Sequence, residues 1–150
     1  MELHAHPRPA LTVDVVALGS GASGASLLLV QRAHDPYVGA WALPGGFVEE
    51  GERVSAAALR ELAEETALDL RWDSAGAPLA LLGVYDTPGR DPRGWTVSIV
   101  YLARLEGEPE VRGGDDASRA RWWPVDRLPA LAFDHALIVA DALRRSAVAP

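Results

Sequence analysis

The stretch that most constrains this chain is 45–68, GGFVEEGERVSAAALRELAEETAL. After two glycine-containing turns, residues 53–66 are mostly Ala, Leu, Arg and Glu with no Pro or Gly, which predicts a helix. Residues three or four positions apart share a helix face, so Glu61, Glu64 and Glu65 are expected to converge. Clustered carboxylates repel one another unless a cation lies among them, and oxygen ligands without sulfur favour Mg²⁺, Mn²⁺ or Ca²⁺. The alternative is an acidic helix face exposed to solvent, which is the commoner meaning of such a run.

Arginine and glycine residues beside the acidic turn favour the metal site. Arg60 can pair with Glu64 at the i, i+4 spacing of a helix. The paired glycines Gly45 and Gly46 let the backbone approach a ligand closely and leave a carbonyl accessible to a cation. Together with the spacing of the glutamates, both features favour a metal site more strongly than that spacing does alone.

The spacing of these residues resembles the signature of the Nudix hydrolases. Gly46, Glu52 and the run RELAEETAL at 60–68 stand at the intervals of that signature. Ala67 departs from it, because the family has glycine at this helix exit, where a left-handed backbone is common. Alanine in that conformation would cost about 1 kcal/mol. Weaker motifs elsewhere, among them LTVDVVAL, RDPRG and AFDHAL, are similar to a bacterial ADP-ribose pyrophosphatase-like subgroup.

The resemblance implies a fold and a reaction. The fold is α/β (α+β), a Nudix-type α/β/α sandwich with a mixed β-sheet, as a single domain over residues 1–150 with a loose leader at 1–9. The reaction is hydrolysis of a nucleoside diphosphate linked to a second group, by water attack on phosphorus, with Mg²⁺ as the cofactor and Mn²⁺ as the alternative metal. Relatives are often dimers, so a homodimer is also an expectation.

The resemblance further implies roles for the residues of the acidic stretch. The expected metal ligands are Gly45, Glu61, Glu64 and Glu65. The expected catalytic positions are Glu52, Arg60, Glu64 and Glu65. Gly45 would act through its carbonyl, Glu52 would bind a metal or its water, and Arg60 would orient the carboxylates. The general base differs among members of the family, so its identity stays open.

Substrate contacts are expected outside the signature, at Arg32, Tyr37, Arg90, Arg93, Trp95 and Asp116. Family members carry an arginine near Arg32 that touches substrate. The loop 86–95, DTPGRDPRGW, offers Arg90 and Arg93 as a clamp for a diphosphate and Trp95 as a cap for an adenine. The alternative is an exposed hairpin tip whose arginines pair with Asp86 and Asp91.

Other candidates have equally plain structural alternatives. Tyr37 or Trp41 can stack on a base, although the apolar strand that follows favours core packing for Trp41. Asp115 or Asp116 can add a late carboxylate to the metal cluster, or serve as turn residues. His135 is expected to cap or pack rather than to catalyse.

The pattern of apolar residues predicts about seven strands and a closing helix. The predicted strands are 11–18, 26–30, 41–43, 68–72, 79–85, 96–105 and 120–125. Residues 136, 139, 140 and 143 recur at helical spacing after Asp134, which is expected near the helix N-terminus.

Composition bounds the class of protein. The formal charge of −7 argues against a nucleic-acid surface, since such surfaces need Lys and Arg patches. With no cysteine, the chain has no disulfide, no thiolate nucleophile and no sulfur metal site, which fits a cytoplasmic protein. The start of the chain does not resemble a signal peptide, and no apolar run is long enough to span a membrane. The expected partner is a small nucleotide substrate, with neither nucleic acid nor membrane.

Several substrates remain open at this stage. ADP-ribose, cleaved to AMP and ribose 5-phosphate, leads because of the weaker motifs. Tyr85 lies at a spacing associated with diadenosine polyphosphate hydrolases, and an oxidised nucleoside triphosphate is a third choice. A ligand sensor that binds ADP-ribose without cleaving it is the alternative of another class. The presence of every acidic and arginine position of the signature favours the enzyme, and a structural Ca²⁺ module would need an EF-hand loop that the sequence lacks.

Overall fold

The computed structural model describes residues 5–71 and 78–146. Within these residues the chain forms seven strands and two helices, numbered here in chain order. The strands are β1 (Ala10–Gly21), β2 (Gly24–Arg32), β3 (Trp41–Ala42), β4 (Gly45–Phe47), β5 (Ala80–Tyr85), β6 (Thr96–Arg104) and β7 (Ala117–Pro124). The helices are α1 (Val54–Thr66) and α2 (His135–Arg145).

The strands form one mixed sheet. Its main path runs β3-β2-β1-β6-β5, with β4 paired to β1 and β7 paired to β2. β1 and β6 run parallel from the Ala10–Thr96 pair to the Leu18–Arg104 pair. The pairs β1–β2, β1–β4, β2–β3, β2–β7 and β5–β6 are antiparallel. The mixed sheet predicted for this chain is therefore confirmed.

Alternation of side chains along β1 divides the core into two layers. Val13, Val15 and Ala17 belong to one buried cluster, together with three residues of α1. Val16 and Leu18 belong to a second cluster, together with three residues of α2. Because successive residues of a strand point to opposite faces, α1 and α2 cover opposite faces of the sheet. The α/β/α sandwich is confirmed.

The strand predicted over 68–72 is wrong in its described part, residues 68–71, and Trp72 lies outside the described residues. Instead, the Thr66 carbonyl accepts a hydrogen bond from Arg112 N and the Thr66 hydroxyl accepts one from Leu68 N. Leu68 packs into the cluster beneath α1. The apolar alternation that resembles a strand thus comes from this inward packing, without a partner strand.

Two other elements refine the sequence-based boundaries. The short strand β4 was not predicted, because two of its three residues are glycines that hide a strand pattern. The predicted helix over 53–66 begins at Val54 with Arg53 as its N-cap, and Asp134 is the N-cap of α2. No helix of the described residues combines the length and apolar character that crossing a membrane requires.

Candidate active site

A cleft of about 490 Å³ opens where the ends of β1, β2 and β4 meet α1 and the loop after β5. Among the predicted site residues, those lining the cleft are Arg32, Gly45, Arg60, Glu61, Glu65, Arg90, Arg93 and Asp116. The predicted residues that do not line it are Tyr37, Glu52, Glu64 and Trp95. The cleft therefore brings together side chains that are far apart in the sequence.

The glycine bend of β4 seats two carboxylates of α1. Gly45 N donates a hydrogen bond of 2.8 Å to Glu65 Oε1. A Cβ at Gly46 would lie 2.5 Å from Glu61 Oε1, and one at Gly45 would lie 2.1 Å from the Val13 carbonyl oxygen. Close approach to backbone therefore restricts Gly45 to glycine, whereas a side chain at Gly46 would displace the Glu61 carboxylate, and both helix carboxylates rest directly on the backbone of the bend.

Arg60 gathers the remaining carboxylates of the acidic stretch. Its Nε and Nη2 donate to the two oxygens of Glu52 at 2.7 and 2.9 Å. Its Nη1 donates to Glu61 Oε1 at 2.9 Å and to Glu64 Oε2 at 3.2 Å. The hydrogen bond from Arg60 lowers the pKa of Glu52. This side chain ties the loop before α1 to the helix and neutralises part of the like-charge repulsion.

Burial distinguishes Glu65 from its neighbours. Glu65 is 7% exposed, and burial raises its pKa to about 8, which the hydrogen bond from Gly45 N partly opposes. Burial also raises the pKa of Glu61, against the effect of its hydrogen bond with Arg60. The Glu64 side chain is 40% exposed. A carboxylate that is costly to ionise when buried is stabilised by a neighbouring cation.

The donors at this end of the cleft fit a hard divalent cation. Glu61 and Glu65 supply carboxylate oxygens, and both lie directly against the backbone of the glycine bend with no side chain in between. In residues 5–71 and 78–146, no three acidic or histidine side chains stand so that they hold one ion together in this arrangement. Arg60 pairs with Glu61, so a cation would compete with its guanidinium for that carboxylate.

The three arginines of the opposite wall differ in their hydrogen-bond partners and in their burial. Arg90 is 4% exposed in its side chain, and its Nε and Nη2 donate to the two oxygens of Asp134 at 2.9 and 2.7 Å. Arg93 forms the predicted pair with Asp91, through Nε and Nη2. Within residues 5–71 and 78–146, the Arg32 guanidinium donates one hydrogen bond, from Nε to the Pro36 carbonyl. The predicted alternative in which Arg90 pairs with Asp86 is wrong, since Arg90 pairs with Asp134.

Two aromatic residues of the cleft were missed by sequence reasoning. Phe47 and Phe133 both line it. The guanidinium carbon of Arg93 lies 4.9 Å from the Phe47 ring centre and 5.6 Å from that of Phe133, and Arg32 lies 5.0 Å from the Phe133 ring. Phe133 has a φ of 53°, rare for a bulky residue. The run AFDHAL marks this region, but no spacing rule identifies the ring.

Asp14, a second residue that was missed, lies in the cleft with His135. Asp14 is 7% exposed, accepts a 2.6 Å hydrogen bond from Ser98, and has its pKa raised to about 7 by burial. His135 Nδ1 accepts a hydrogen bond from Leu43 N, so the neutral ring carries its proton on Nε2, which lies 3.6 Å from Asp14 Oδ1. Burial lowers the pKa of His135 to about 3. The expected packing role of His135 fits these contacts.

The remaining candidates lie at the margin of the cleft or away from it. Tyr37 packs on the Phe133 ring, and Trp95 is 55% exposed. Trp41 packs against the core beside Trp123, as expected. Asp116 lies 3.5 Å from His34 at the cleft.

Comparisons with known proteins agree with this geometry. A family model described as NUDIX domain matches residues 8–144. The ADP-ribose pyrophosphatase of Methanocaldococcus jannaschii is 44% identical over 91% of this chain and 74% of its own length. The NUDIX domain of Shewanella oneidensis NrtR, solved with ADP ribose, has a TM-score of 0.84 at 33% identity, over 97% of this chain and 94% of that one. A bifunctional NMN adenylyltransferase/ADP ribose pyrophosphatase from Francisella tularensis, solved with AMP and a Mn ion, has a TM-score of 0.79 at 31% identity, over 93% of this chain and 42% of that one.

Several of the matching proteins are much longer than the region they share with this chain. The chain spans about half the length of three curated relatives, at 55%, 47% and 47%. It covers 61% of a longer NrtR chain from Shewanella oneidensis that was solved with a 27mer DNA. The expectation that this chain has no nucleic-acid partner therefore stays a prediction.

Proposed function

The chain belongs to the Nudix family and is a pyrophosphohydrolase of that family, and on this premise we propose that it cleaves ADP-ribose to AMP and ribose 5-phosphate with Mg²⁺ or Mn²⁺. The observation that carries the proposal is the cleft itself. Carboxylates seated on a glycine bend line one side, and the other is lined by Arg32 and Arg93, each with a guanidinium nitrogen that no described residue engages. A diphosphate needs both, since its phosphorus must be reached by water while its charge is neutralised.

The metal site would be held by Glu61, Glu65 and the Gly45 carbonyl, with Glu64 as a further candidate. A divalent ion bound there would neutralise the diphosphate and lower the pKa of the attacking water. Arg60 keeps Glu52 and Glu61 at fixed positions through charge-assisted hydrogen bonds.

Other side chains of the cleft bind the diphosphate, shape the wall and supply the general base. Arg32 and Arg93 bind the diphosphate, because each keeps at least one guanidinium nitrogen that no described residue engages and neither side chain is fully buried. Arg90 is held in a buried pair with Asp134 and shapes the wall. The base is a carboxylate of α1. Glu65 is buried at the glycine bend and Glu64 is partly exposed, so the two differ in their access to water.

ADP-ribose is favoured over the other substrates by the relatives that name it. The spacing of Tyr85, which suggested diadenosine polyphosphates, has a structural explanation. Its hydroxyl donates a 2.7 Å hydrogen bond to Asp141, and Tyr85 does not line the cleft. Relatives named as oxidised-nucleotide diphosphatases match smaller parts of this chain.

Hydrolysis by the wild-type chain and by Glu65→Gln tests the proposal. With ADP-ribose and Mg²⁺, the wild type should release AMP, and Glu65→Gln should lower kcat by at least about a hundredfold. The substitution keeps size and can still accept the hydrogen bond from Gly45 N. Glu106→Gln, which changes an exposed glutamate outside the cleft, is the matched control and should retain wild-type activity.

A panel of diadenosine polyphosphate, oxidised nucleoside triphosphate and ADP-ribose, each with Mg²⁺ and with Mn²⁺, separates the substrates. The proposal requires the highest kcat/KM for ADP-ribose. Saturable binding of ADP-ribose without AMP release would contradict it and indicate a sensor. Preference for another member of the panel would retain the reaction and replace the substrate.

A further inference from the structure

Four cleft side chains from four separate segments form an alternating stack of rings and guanidinium groups. Along it lie Phe47 at the end of β4, Arg93 in the loop after β5, Phe133 before α2, and Arg32 at the end of β2. The guanidinium of Arg93 contacts both rings, and the ring of Phe133 contacts both arginines, at centre distances of 4.9 to 5.6 Å. Phe133 is thus the member of the stack that touches both cations.

The stack leaves guanidinium edges for a ligand. A guanidinium that lies on a ring uses its face, whereas its N–H groups point outward in its plane. Among the described residues, Nη1 and Nη2 of Arg32 and Nη1 of Arg93 have no hydrogen-bond partner. Two cations with unused in-plane donors on one wall match the non-bridging oxygens of a diphosphate.

The two arginines oppose each other when no ligand is present. Burial lowers the pKa of Arg32, and the positive charge of Arg93 lowers it further. Each is also restrained from its own side, Arg32 by the Pro36 carbonyl and Arg93 by Asp91. Contact of both guanidinium groups with the same ring, whose face is negative, offsets part of the repulsion.

The backbone at Phe133 indicates that the position of this ring is built into the fold. Its φ of 53° is unfavourable for a bulky residue and persists only when the surroundings fix it. Ala132, immediately before it, is fully buried and donates its N–H to the Trp41 carbonyl, and Asp134, immediately after it, is held by Arg90. Tyr37 covers the ring at 4.8 Å.

We propose that Phe133 is a positioning residue for diphosphate recognition, holding the guanidinium groups of Arg32 and Arg93 on one ring so that their free edges meet the phosphates together. The inference rests on the proposed function for its substrate, but its immediate content is the affinity for a diphosphate. It assigns Phe133 a role through the arginines, without contact with the reacting atoms.

Inorganic pyrophosphate is the probe, titrated calorimetrically into the full chain in the absence of metal. Phe133→Leu removes the ring and keeps an apolar side chain, and should weaken pyrophosphate binding roughly five- to tenfold, the loss expected for two cation–π contacts. Phe133→Tyr retains the ring and should bind within about twofold of wild type. Phe133→Met provides the same comparison if the leucine variant does not fold.

If Phe133 positions both arginines, the effects of Phe133→Leu and Arg93→Gln on pyrophosphate binding should not be additive. In an Arg93→Gln background, Phe133→Leu should weaken binding by a smaller factor than in the wild type, because one of the two cations it holds is already gone. With ADP-ribose, KM should rise while kcat changes by less than about twofold, since the ring makes no contact with the reacting atoms. If the ring were needed only for packing, Phe133→Leu would lower the unfolding temperature and leave the pyrophosphate affinity and the KM for ADP-ribose unchanged.

Arg121→Gln is the control for loss of a cation–π contact. Its guanidinium lies 4.0 Å from the Trp123 ring, outside the cleft, so this variant should bind pyrophosphate as the wild type does. Fully additive effects of Phe133→Leu and Arg93→Gln, or unchanged pyrophosphate affinity in Phe133→Leu, would overturn the inference. Failure of the wild type to cleave ADP-ribose would instead overturn the proposed function, and the pyrophosphate titrations would still decide the role of Phe133.

Discussion

At the scale of single residues, Gly46 shows how the lack of a side chain shapes the cleft. A Cβ there would lie 2.5 Å from Glu61 Oε1, and Glu61 is held by Arg60 at 2.9 Å. Gly46→Ala should therefore displace the Glu61 carboxylate while leaving the core intact. We expect kcat/KM for ADP-ribose to fall on the order of 10- to 100-fold, the usual consequence of misplacing a catalytic group.

The matched control is Gly83→Ala in β5. Of the residues that the structure describes, the Tyr85 ring would be nearest to a Cβ at Gly83, at 3.8 Å, and the Gly83 backbone has no positive φ. This variant should keep the activity of the wild type in the same assay. Wild-type activity in Gly46→Ala would show that Glu61 can move without consequence, and would remove it from the metal site.

The same scale shows which site residues the sequence can predict. Glu61 and Glu65 were identified because helical spacing is local, and the cleft brings both to the glycine bend. Asp14 and Phe133 were not, since their places depend on contacts across the sheet. Ser98, which donates a hydrogen bond to Asp14, is 84 positions away from it. Arg32, which contacts the Phe133 ring, is likewise distant from it in the sequence. No local pattern carries that information.

At the scale of elements, the exit of α1 combines a correct prediction with a wrong one. Ala67 has a φ of 63°, the left-handed conformation expected where relatives have glycine, and its N–H closes the helix on the Ala63 carbonyl. This left-handed exit was predicted because the Nudix signature has glycine at the position of Ala67. It did not predict that Leu68 turns into the core in place of starting a strand, because an apolar pair at i, i+2 satisfies both geometries.

Ala67→Gly should stabilise the chain. The substitution removes the steric cost of a Cβ in the left-handed region, about 1 kcal/mol, at a site that does not line the cleft. Urea unfolding should show a higher midpoint with an unchanged slope. Ala63→Gly, one turn earlier inside α1, is the control of opposite sign and should destabilise by about 1 kcal/mol. A destabilised Ala67→Gly would mean that loss of chain entropy outweighs the relief of strain.

At the scale of the whole molecule, the sheet between two helices could be predicted from the sequence, whereas the pKa values of the acidic groups in the cleft depend on burial. The sandwich was implied by the resemblance to the Nudix family, and the strands and helices predicted from periodicity agree with it, since each helix has one apolar face and β1 has two. Burial of acidic groups in the cleft was not predictable, because the same glutamates on a solvated helix would keep ordinary pKa values. The difference is measurable as a dependence of stability on pH.

Burial raises the pKa of Glu65 to about 8 and that of Asp14 to about 7, so both bind a proton more tightly in the folded chain than in the unfolded one. Their contribution to stability is complete below the unfolded values of 4.5 and 3.8 and is lost as the pH rises through 7 and 8. His135, with its pKa lowered to about 3, has the opposite sign. Its contribution is complete above 6.5 and is lost as the pH falls.

Between pH 6.5 and 8 the two carboxylates therefore set the slope. In the presence of a chelator, the free energy of unfolding should fall with rising pH, by at most about 1.4 kcal/mol per pH unit for each proton. Glu65→Gln should flatten this slope, since glutamine does not titrate. Mg²⁺ should stabilise the wild type more at pH 8 than at pH 6.5, because a cation stabilises the ionised carboxylates. A stability that is constant or rising over this interval, measured by urea unfolding at fixed ionic strength, would show that these carboxylates reach water in the folded chain.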